Sequence, residues 1–352
     1  MADELTYSEE QNRINTAKLR TLLNDLPKFC STYFRGIEQN TSARTRIAYA
    51  IDLKGFFNYL HDNNPVLKNT DVHDYNISLL DELQATDIEE YIDYLRLYEK
   101  DGKSITNYER SIKRKLCSIR SMYKYFHTHQ LIDHNPAIQV NIPKIREKAI
   151  VRLEVNEVAE LLDNVEEGNL ATQRQREAAK KLGCRDLALL TLMLGTGIRV
   201  SECVGLDIND VDFDNSRIKV VRKGGYEAYV YFGDEVEEQL HNYLEERLHT
   251  TALTGHENAL FLSSQRKRLC VRSVEKLVKK YANTVTTVKH ITPHKLRSTY
   301  GTNLYQETKD IYLVADVLGH ADVNTTRKHY ADLVEENKRS ARNAVSLREK
   351  RK

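Results

Sequence analysis

Residues 292–300 read Thr-Pro-His-Lys-Leu-Arg-Ser-Thr-Tyr, and the other motifs of the chain converge on this stretch. Thr292 is a favourable N-cap and Pro293 suits the first helical position, so the pattern predicts that a helix begins here. His294 and Arg297 are three residues apart, which places both side chains on one face near the electropositive end of that helix. An imidazole and a guanidinium in this position indicate a site for an anion such as phosphate.

The composition predicts a globular protein with two domains, because 352 residues can form two cores. The net charge is only +2, so a nucleic-acid partner would have to be bound by clustered basic residues. No apolar run approaches a membrane span of about 18 residues and no signal-peptide pattern is present, so we expect a soluble cytoplasmic protein with no membrane partner. Five cysteines without C-x-x-C spacing argue against a zinc site and a disulfide framework. They are Cys30, Cys117, Cys184, Cys203 and Cys270.

The first half of the chain is predicted to be helical. Residues 1–40 form a polar N-terminal helical extension, and residues 41–132 form a helical domain. Within this domain, apolar residues recur at helical spacing from Tyr49 to Leu60, a capping-box pattern at Thr86–Glu89 starts a second helix, and a third carries Leu116 and Phe126 on one face.

A run of positive charge accompanies the third helix. Residues 101–130 contain seven basic and two acidic residues. The run is either a solvated helix face or a surface that contacts DNA phosphates, and polar neighbours such as Ser104 and Asn107 suit the second interpretation. The candidate DNA-binding residues are Lys103, Arg110, Lys113, Arg114, Lys115, Arg120 and Lys124.

Residues 133–152 are predicted to be an interdomain linker, because they contain prolines and lack a helical period. A second domain over residues 153–332 is predicted to be mainly helical. Residues 166–181 are interpreted as a loop with some helix, and residues 186–194 as a buried helix that ends at a turn before Arg199. Residues 217–232 are predicted to form a β-hairpin with Lys223 at its glycine-rich tip. His320 follows another predicted helix, and Tyr330 precedes a charged tail over residues 333–352.

Four segments of the second domain resemble the motif set of the tyrosine recombinases, the phage-integrase, Xer and Cre group of DNA breaking-and-joining enzymes. They are LGTGIRVSECVGL (194–206), VVRKGG (220–225), TPHKLRSTYGT (292–302) and DVLGHADVNTTRKHY (316–330). SARTRIAYAIDLKGFFNYL (42–60) and the basic SIKRKLCSIRSMYKYF (111–126) are similar to the DNA-clamping domain of the same family. The chain looks most like the single-component Xer-type enzymes.

The resemblance implies a two-domain, C-shaped DNA clamp, mainly α-helical, with a SAM-like N-terminal domain and a small β-sheet or hairpin in the catalytic domain. It also implies a role for each motif residue. Arg199, Arg297 and the two histidines, His294 and His320, would hold the scissile phosphate, and Tyr330 would attack it to form a 3′-phosphotyrosine. The implied catalytic set is Arg199, Lys223, His294, Arg297, His320 and Tyr330.

Lys223 would protonate the leaving 5′ oxygen in this scheme, and His294 would help to deprotonate Tyr330. Glu202 would support Arg199, although a purely structural Arg199–Glu202 pair remains the alternative interpretation. No metal or other cofactor is implied. The implied partner is double-stranded DNA with an inverted-repeat recombination site.

The resemblance further implies a homotetramer on DNA that exchanges strands through a Holliday junction, and a monomer or dimer when free. Residues 333–352 would dock on a neighbouring subunit. Chromosome or plasmid dimer resolution is the favoured role, with mobile-element integration as the alternative. A non-catalytic DNA-binding relative and a type IB topoisomerase are further alternatives. The chain has Ser298 where many relatives have histidine, and ten residues separate His320 from Tyr330, which is more like some mobile-element integrases.

Overall fold

The computed structural model describes residues 6–100, 102–145, 151–222, 224–320 and 322–329. The chain divides into two compact units, Met1–Lys148 and Ala149–Lys352. The tail over residues 333–352 and residues 146–150 of the expected linker lie outside the described residues.

The first unit is a helical bundle with one short hairpin. The strands of this hairpin pair antiparallel, with Tyr98 opposite Ile105. In chain order the elements are α1 (Tyr7–Leu23), α2 (Cys30–Gly36), α3 (Ala43–Asn63), α4 (Leu79–Glu82), α5 (Ala85–Arg96), β1 (Tyr98–Lys100), β2 (Lys103–Ile105) and α6 (Glu109–Thr128).

The three helices expected in residues 41–132 are confirmed as α3, α5 and α6. The expected capping box at Thr86–Glu89 is wrong by two residues. The backbone N–H of Gln84 donates to the Asp87 carboxylate at 2.7 Å, and α5 begins at Ala85. Thr86 and Glu89 fit the capping-box sequence pattern better than Gln84 and Asp87 do, and only the backbone conformation selects the actual N-cap.

The core of the first unit extends beyond residues 41–132 at both ends. On the N-terminal side, the buried Leu19 of α1 and Tyr33 of α2 belong to the same core as Phe56 of α3. On the C-terminal side, Ala137 and Val140, both within the expected linker, are buried in this core as well. Burial of these apolar side chains stabilises α1, α2 and the segment after α6 as parts of the first unit.

The second unit surrounds a long helix, Gln173–Thr196, whose second half is buried. It contains α7 (Val155–Glu166), α8 (Gln173–Thr196), α9 (Val200–Gly205), β3 (Val211–Asp212), β4 (Arg217–Val221), β5 (Glu227–Tyr231), α10 (Asp234–Leu248), α11 (Val271–Val285), α12 (Pro293–Thr308), α13 (Ile311–Leu318) and α14 (Val323–His329). The interpretation of residues 166–181 as a loop with some helix is corrected, because α8 begins at Gln173 and runs through the rest of this segment. Thr172 accepts a hydrogen bond from the Gln175 backbone N–H at 3.3 Å and caps a helix that a purely apolar pattern does not reveal.

The expected β-hairpin is confirmed as β4 and β5, in a three-stranded antiparallel sheet of order β3-β4-β5. Ile218 lies opposite Val230, and these two side chains are buried while the alternating Lys219 stays partly exposed. The sheet thus has one face against the helices and one toward solvent.

The opening stretch forms the start of α12 as expected. Thr292 is the N-cap residue and Pro293 the first helical residue, although the Thr292 hydroxyl makes no capping hydrogen bond. None of the described helices is both long and apolar enough to cross a membrane. All five cysteines lie in the described part of the chain, and each is a free thiol.

Candidate functional site

The site begins where α8 ends, at Gly197. This residue has a φ of +64°, a left-handed conformation that is unfavourable for any residue with a side chain. An added Cβ would also collide with the Tyr300 ring and lie 3.0 Å from Leu318. The tight turn therefore lets the chain leave the buried α8 in direct contact with α12 and α13. It brings Arg199, two residues later, to the start of α9.

Glu202 fixes both the backbone and the side chain of Arg199. Its carboxylate accepts from the Arg199 backbone N–H at 2.8 Å and from Nη1 at 2.7 Å. The Glu202 side chain is only 4% exposed, whereas that of Arg199 is 37% exposed. A buried carboxylate thus restrains a guanidinium that still reaches solvent, a contact that fits both the purely structural pair and the supporting role.

Arg297 projects from α12 and is largely buried. Its Nη1 donates to the carbonyl oxygen of Gly197 at 2.6 Å, and its Nη2 donates to the carbonyl oxygen of Leu318. A fork of N–H donors held by two backbone oxygens has little freedom to rotate. The arginine of the opening stretch is therefore oriented by two segments that lie far from it in the chain.

Three arginines donate to three successive carbonyl oxygens at the end of α13. Arg199 Nη2 lies 3.0 Å from the oxygen of Gly319, and Arg222 Nη2 lies 3.1 Å from that of Val317, on either side of the Arg297 bond to Leu318. The last carbonyls of a helix lack partners within the helix and carry its negative dipole end, so they favour cations. We call Arg199, Arg222 and Arg297 the arginine cluster.

His294 stands one turn before Arg297 on α12 and is exposed. Its pKa is nevertheless lowered from the ordinary value of 6.5, chiefly because surrounding protein removes part of its water, and further because Lys295, Arg297 and Arg199 repel a second positive charge. A neutral imidazole near pH 7 can accept a proton, as a general base must.

His320 follows Gly319, whose φ of +61° ends α13. Its Nδ1 lies 2.6 Å from the hydroxyl oxygen of Thr326, which is fully buried in α14. When the hydroxyl donates to Nδ1, the ring proton sits on Nε2, which suits donation to a phosphate oxygen. Sequence reasoning missed Thr326, although its position six residues after His320 within the last motif was a usable signal.

The structure brings together Arg199, Glu202, His294, Arg297 and His320. Lys223 and Tyr330 lie outside the described residues, and their assignments stay predictions. Several guanidiniums and imidazoles at one helix end form an electropositive centre, and this arrangement can neutralise the charge of a phosphodiester in its transition state. Within the described part of the chain, no group of three or more His, Cys, Asp or Glu residues could hold a metal ion.

The candidate DNA-binding residues of the first unit fall into two groups. One group is at least partly exposed at its surface, on β2 and α6. It consists of Lys103, Arg110, Lys113, Arg114 and Lys124.

Lys115 and Arg120 form the second group, which makes contacts inside the unit. Lys115 Nζ lies 3.6 Å from the buried Asp52 carboxylate. The Arg120 guanidinium donates to the carbonyl oxygens of Ala137 at 2.9 Å and Val140 at 2.5 Å, and so ties the segment after α6 to the helix. Asp52 also accepts from the partly exposed Arg114, which indicates that it orients that side chain.

Comparisons with known proteins identify relatives of this chain. The model of the phage integrase family matches residues 151–337. Tyrosine recombinase XerC of Leptospira interrogans is 32% identical over 306 residues, which cover 87% of this chain and 88% of the relative. Tyrosine recombinase XerS of Lactococcus lactis is 30% identical over 358 residues, which cover 94% and 98%.

Solved structures have the same fold. The XerH site-specific recombinase bound to its difH substrate in a pre-cleavage complex matches with a TM-score of 0.60 at 20% identity, covering 95% of this chain and 94% of that one. The Tn1549 transposon integrase with circular intermediate DNA matches with a TM-score of 0.63 at 19% identity, covering 89% and 98%.

Proposed function

This chain belongs to the phage integrase family of tyrosine recombinases, and from that premise we propose that it cuts and rejoins DNA through a covalent 3′-phosphotyrosine intermediate. The observation that carries the proposal is the pair of arginines Arg199 and Arg297 held at the end of α13, with His294 and His320 beside them. A phosphodiester resists attack because it is anionic, and fixed guanidiniums neutralise the charge that grows on its non-bridging oxygens.

In the proposed cleavage step, side chains of this chain accept and donate every proton that is transferred. The phenolic oxygen of Tyr330 attacks phosphorus, and the bond from phosphorus to the 5′ oxygen breaks. The phenolic proton passes to the neutral His294, while Lys223 gives a proton to the leaving oxygen. Because the phosphodiester energy is kept in the phosphotyrosine, a 5′-hydroxyl can attack it in the reverse sense and rejoin the strand.

We propose that the two units close on an inverted-repeat site as a C-shaped clamp, and that four copies exchange strands through a Holliday junction. The free protein would be a monomer or dimer, and residues 333–352 would dock on the neighbouring subunit. The exposed Lys103, Arg110, Lys113, Arg114 and Lys124 would contact phosphates. Each such contact contributes about −0.9 to the slope of log affinity against log salt. We expect Arg110→Ala to flatten that slope by about this amount, and an unchanged slope would remove Arg110 from the contact surface.

An adduct assay tests the chemistry. The protein is incubated with nicked synthetic sites from its own genome, and covalent protein–DNA complexes are resolved on denaturing gels. The wild type and the control Tyr312→Phe, a change at an exposed tyrosine of α13, should form the adduct, and Tyr330→Phe should not. An adduct with Tyr330→Phe would show that another residue is the nucleophile.

We further propose Xer-type resolution of chromosome or plasmid dimers, because the similarity to XerS extends over nearly the full length of both proteins. Mobile-element integration remains the second candidate, favoured by the ten-residue step from His320 to Tyr330. A plasmid with two directly repeated sites separates the two roles. Efficient conversion to two circles supports resolution, whereas joining of a circular donor to an unrelated target supports integration.

A further inference from the structure

Arg222 has no assigned role in the chemistry, yet it lies at a decisive point of the hairpin. It follows the last residue of β4 and precedes Lys223 in the chain. Its backbone N–H donates to the carbonyl of Tyr226 at 2.7 Å, and its own carbonyl accepts from the Gly225 N–H at 3.1 Å. The backbone of Arg222 is therefore fixed at the base of the hairpin tip.

The side chain of Arg222 crosses from the hairpin to the end of α13. Nη2 donates to the carbonyl of Val317 at 3.1 Å. The guanidinium also packs so closely on Gly319 that a Cβ at that position would collide with Nη1, Cζ and Nε. Nε is buried and has no hydrogen-bond partner in the part of the chain that the structure describes. The contact is therefore a close-packed junction. A buried donor without a partner costs free energy, so packing must help to keep the guanidinium in this place.

The position of this junction is specific. The two carbonyls that follow Val317 in the chain, those of Leu318 and Gly319, hold Arg297 and Arg199. One helix end thus aligns the two arginines of the proposed phosphate site with the base of the hairpin. No such connection would exist if the hairpin were attached only through its strands.

We propose that Arg222 is a positioning residue that locks the hairpin to the end of α13 and so sets where Lys223 meets the leaving oxygen. This inference rests on the proposed function, in which Lys223 is the general acid. Gly224 and Gly225 both have positive φ, at +93° and +80°, and glycine restricts the backbone less than any other residue. A tip with two glycines needs an external anchor, because a general acid must lie within about 3.2 Å of the oxygen that it protonates.

Direct binding of DNA phosphate by Arg222 is the competing interpretation. A substrate with a different leaving group distinguishes the two interpretations. A 5′-bridging phosphorothiolate carries sulfur in place of the leaving oxygen. A thiolate leaves without a proton, since the pKa of a thiol is only about 8.5. Loss of acid positioning then slows cleavage of the oxygen substrate and spares the sulfur substrate, whereas loss of a phosphate contact slows both.

The test compares Arg222→Met, which keeps the length and removes the donors, with Arg217→Met as the matched control. Arg217 lies on β4, pairs with Asp212 at 2.8 Å and stacks over Tyr229, away from α13. Single-turnover adduct formation is measured for full-length protein on both substrates. We expect Arg222→Met to lose about 10- to 100-fold on the oxygen substrate, the loss typical of a misplacement of about 1 Å. The sulfur substrate should react at close to the wild-type rate, and the control should resemble wild type on both.

Equal slowing on both substrates, or no slowing on either, would overturn the inference. Arg222→Lys, which keeps one donor, should recover part of the rate on the oxygen substrate and guards against a folding defect in the methionine variant. Lys223→Ala tests the proposed function separately, since a lack of sulfur rescue there would remove Lys223 as the acid. If Lys223→Ala is rescued, adding Arg222→Met to it should cause no further loss on the oxygen substrate, because both changes act on one step. A further loss there would also overturn the inference.

Discussion

Arg199 Nη2 lies 3.0 Å from the carbonyl oxygen of Gly319, so an arginine at the start of α9 is bonded to the residue that precedes His320. The bond joins two of the four motifs directly. Arg297, which lies in a third motif, bonds to the same two segments through Gly197 and Leu318. Arg199 and Arg297 are thus oriented by the backbone of other motifs, and a disturbance at either contact should reach the other.

Glu202→Gln should reduce the rate of adduct formation more than it reduces stability. The amide oxygen can still accept from the Arg199 backbone N–H, but the charge-assisted bond to Nη1 is lost, because an NH2 group takes the place of the second oxygen. Since loss of a single transition-state donor costs about 100- to 1,000-fold, a partly misplaced Arg199 should cost less than that. Single-turnover kinetics at saturating DNA measure the effect, with Glu238→Gln on α10 as the control. A wild-type rate would leave Glu202 with a structural role only.

Thr326→Val should slow adduct formation while Thr326→Ser should not. Valine keeps the shape of threonine but removes the hydroxyl that contacts His320 Nδ1 at 2.6 Å, so the imidazole is no longer held in one tautomer and orientation. We expect a loss on the order of 10-fold, below the roughly 100-fold that removal of a full transition-state donor costs. If serine and valine reduce the rate equally, the hydroxyl is not the group that matters.

Adduct formation should fall as the solution is acidified below the ordinary histidine pKa of 6.5. The pKa of His294 lies below that value, so the resting imidazole is neutral at pH 7 and becomes protonated by the solvent only in more acidic solution. Protonation removes the proposed base and adds repulsion toward Arg297 and Arg199. Because the folded-state pKa is the lower one, the stabilising contribution of the neutral form is present above the unfolded-state pKa and is lost as the pH falls through the folded-state value.

Lys295→Gln provides the matched test of that titration. It removes a positive charge that lowers the His294 pKa, so the acidic limb of the rate profile should move to higher pH. NMR titration of the imidazole signal measures the same shift independently of activity. If the acidic limb of the pH–rate profile is unchanged in Lys295→Gln, the pH dependence belongs to another group.

Gly197→Ala should destabilise the second unit by more than about 1 kcal/mol, because a side chain at positive φ costs about 1–2 kcal/mol even without collisions. The added Cβ would also press on Tyr300 and Leu318 and displace the carbonyl that holds Arg297. Gly183→Ala in α8 is the matched control, since its Cβ would meet ordinary contacts and helix propensity favours alanine by about 0.5–1 kcal/mol. Denaturant unfolding followed by circular dichroism compares the two, and equal stabilities would contradict the strained turn.

Asp52→Asn should destabilise the first unit and weaken DNA binding. Arg114 and the Ser118 hydroxyl, the latter at 2.9 Å, both donate to Oδ2, and an amide oxygen could accept both bonds. The amide would lose the negative charge that pairs with Arg114 and would place an unpaired NH2 where Oδ1 lies 3.6 Å from Lys115 Nζ. A buried group left unpaired costs about 1–3 kcal/mol. The exposed Asp62, also on α3, supplies the control Asp62→Asn, which should change stability by less than about 0.5 kcal/mol. Denaturant unfolding and salt titration of DNA affinity measure both effects.

The sequence by itself determined the chemistry-bearing residue types and most of the elements that carry them. Thr292 and Pro293 set the start of α12, and the alternation in residues 217–232 set the hairpin, because these signals act over a few neighbouring residues. The motif set was enough to identify the family. Local signals misjudged the start of α5, where a more favourable capping pattern lies two residues after the actual N-cap, and the first half of α8, which lacks an apolar pattern.

Only the tertiary structure decided how the site is held together. Arg199, Arg222 and Arg297 bond to the end of α13 through backbone carbonyls, and Arg120 bonds to carbonyls in the segment after α6. Every residue carries a carbonyl oxygen, so such bonds leave no mark on the sequence of the acceptor. Which basic side chains remain available to DNA, and which stabilise the fold, is therefore settled by the packing of distant segments.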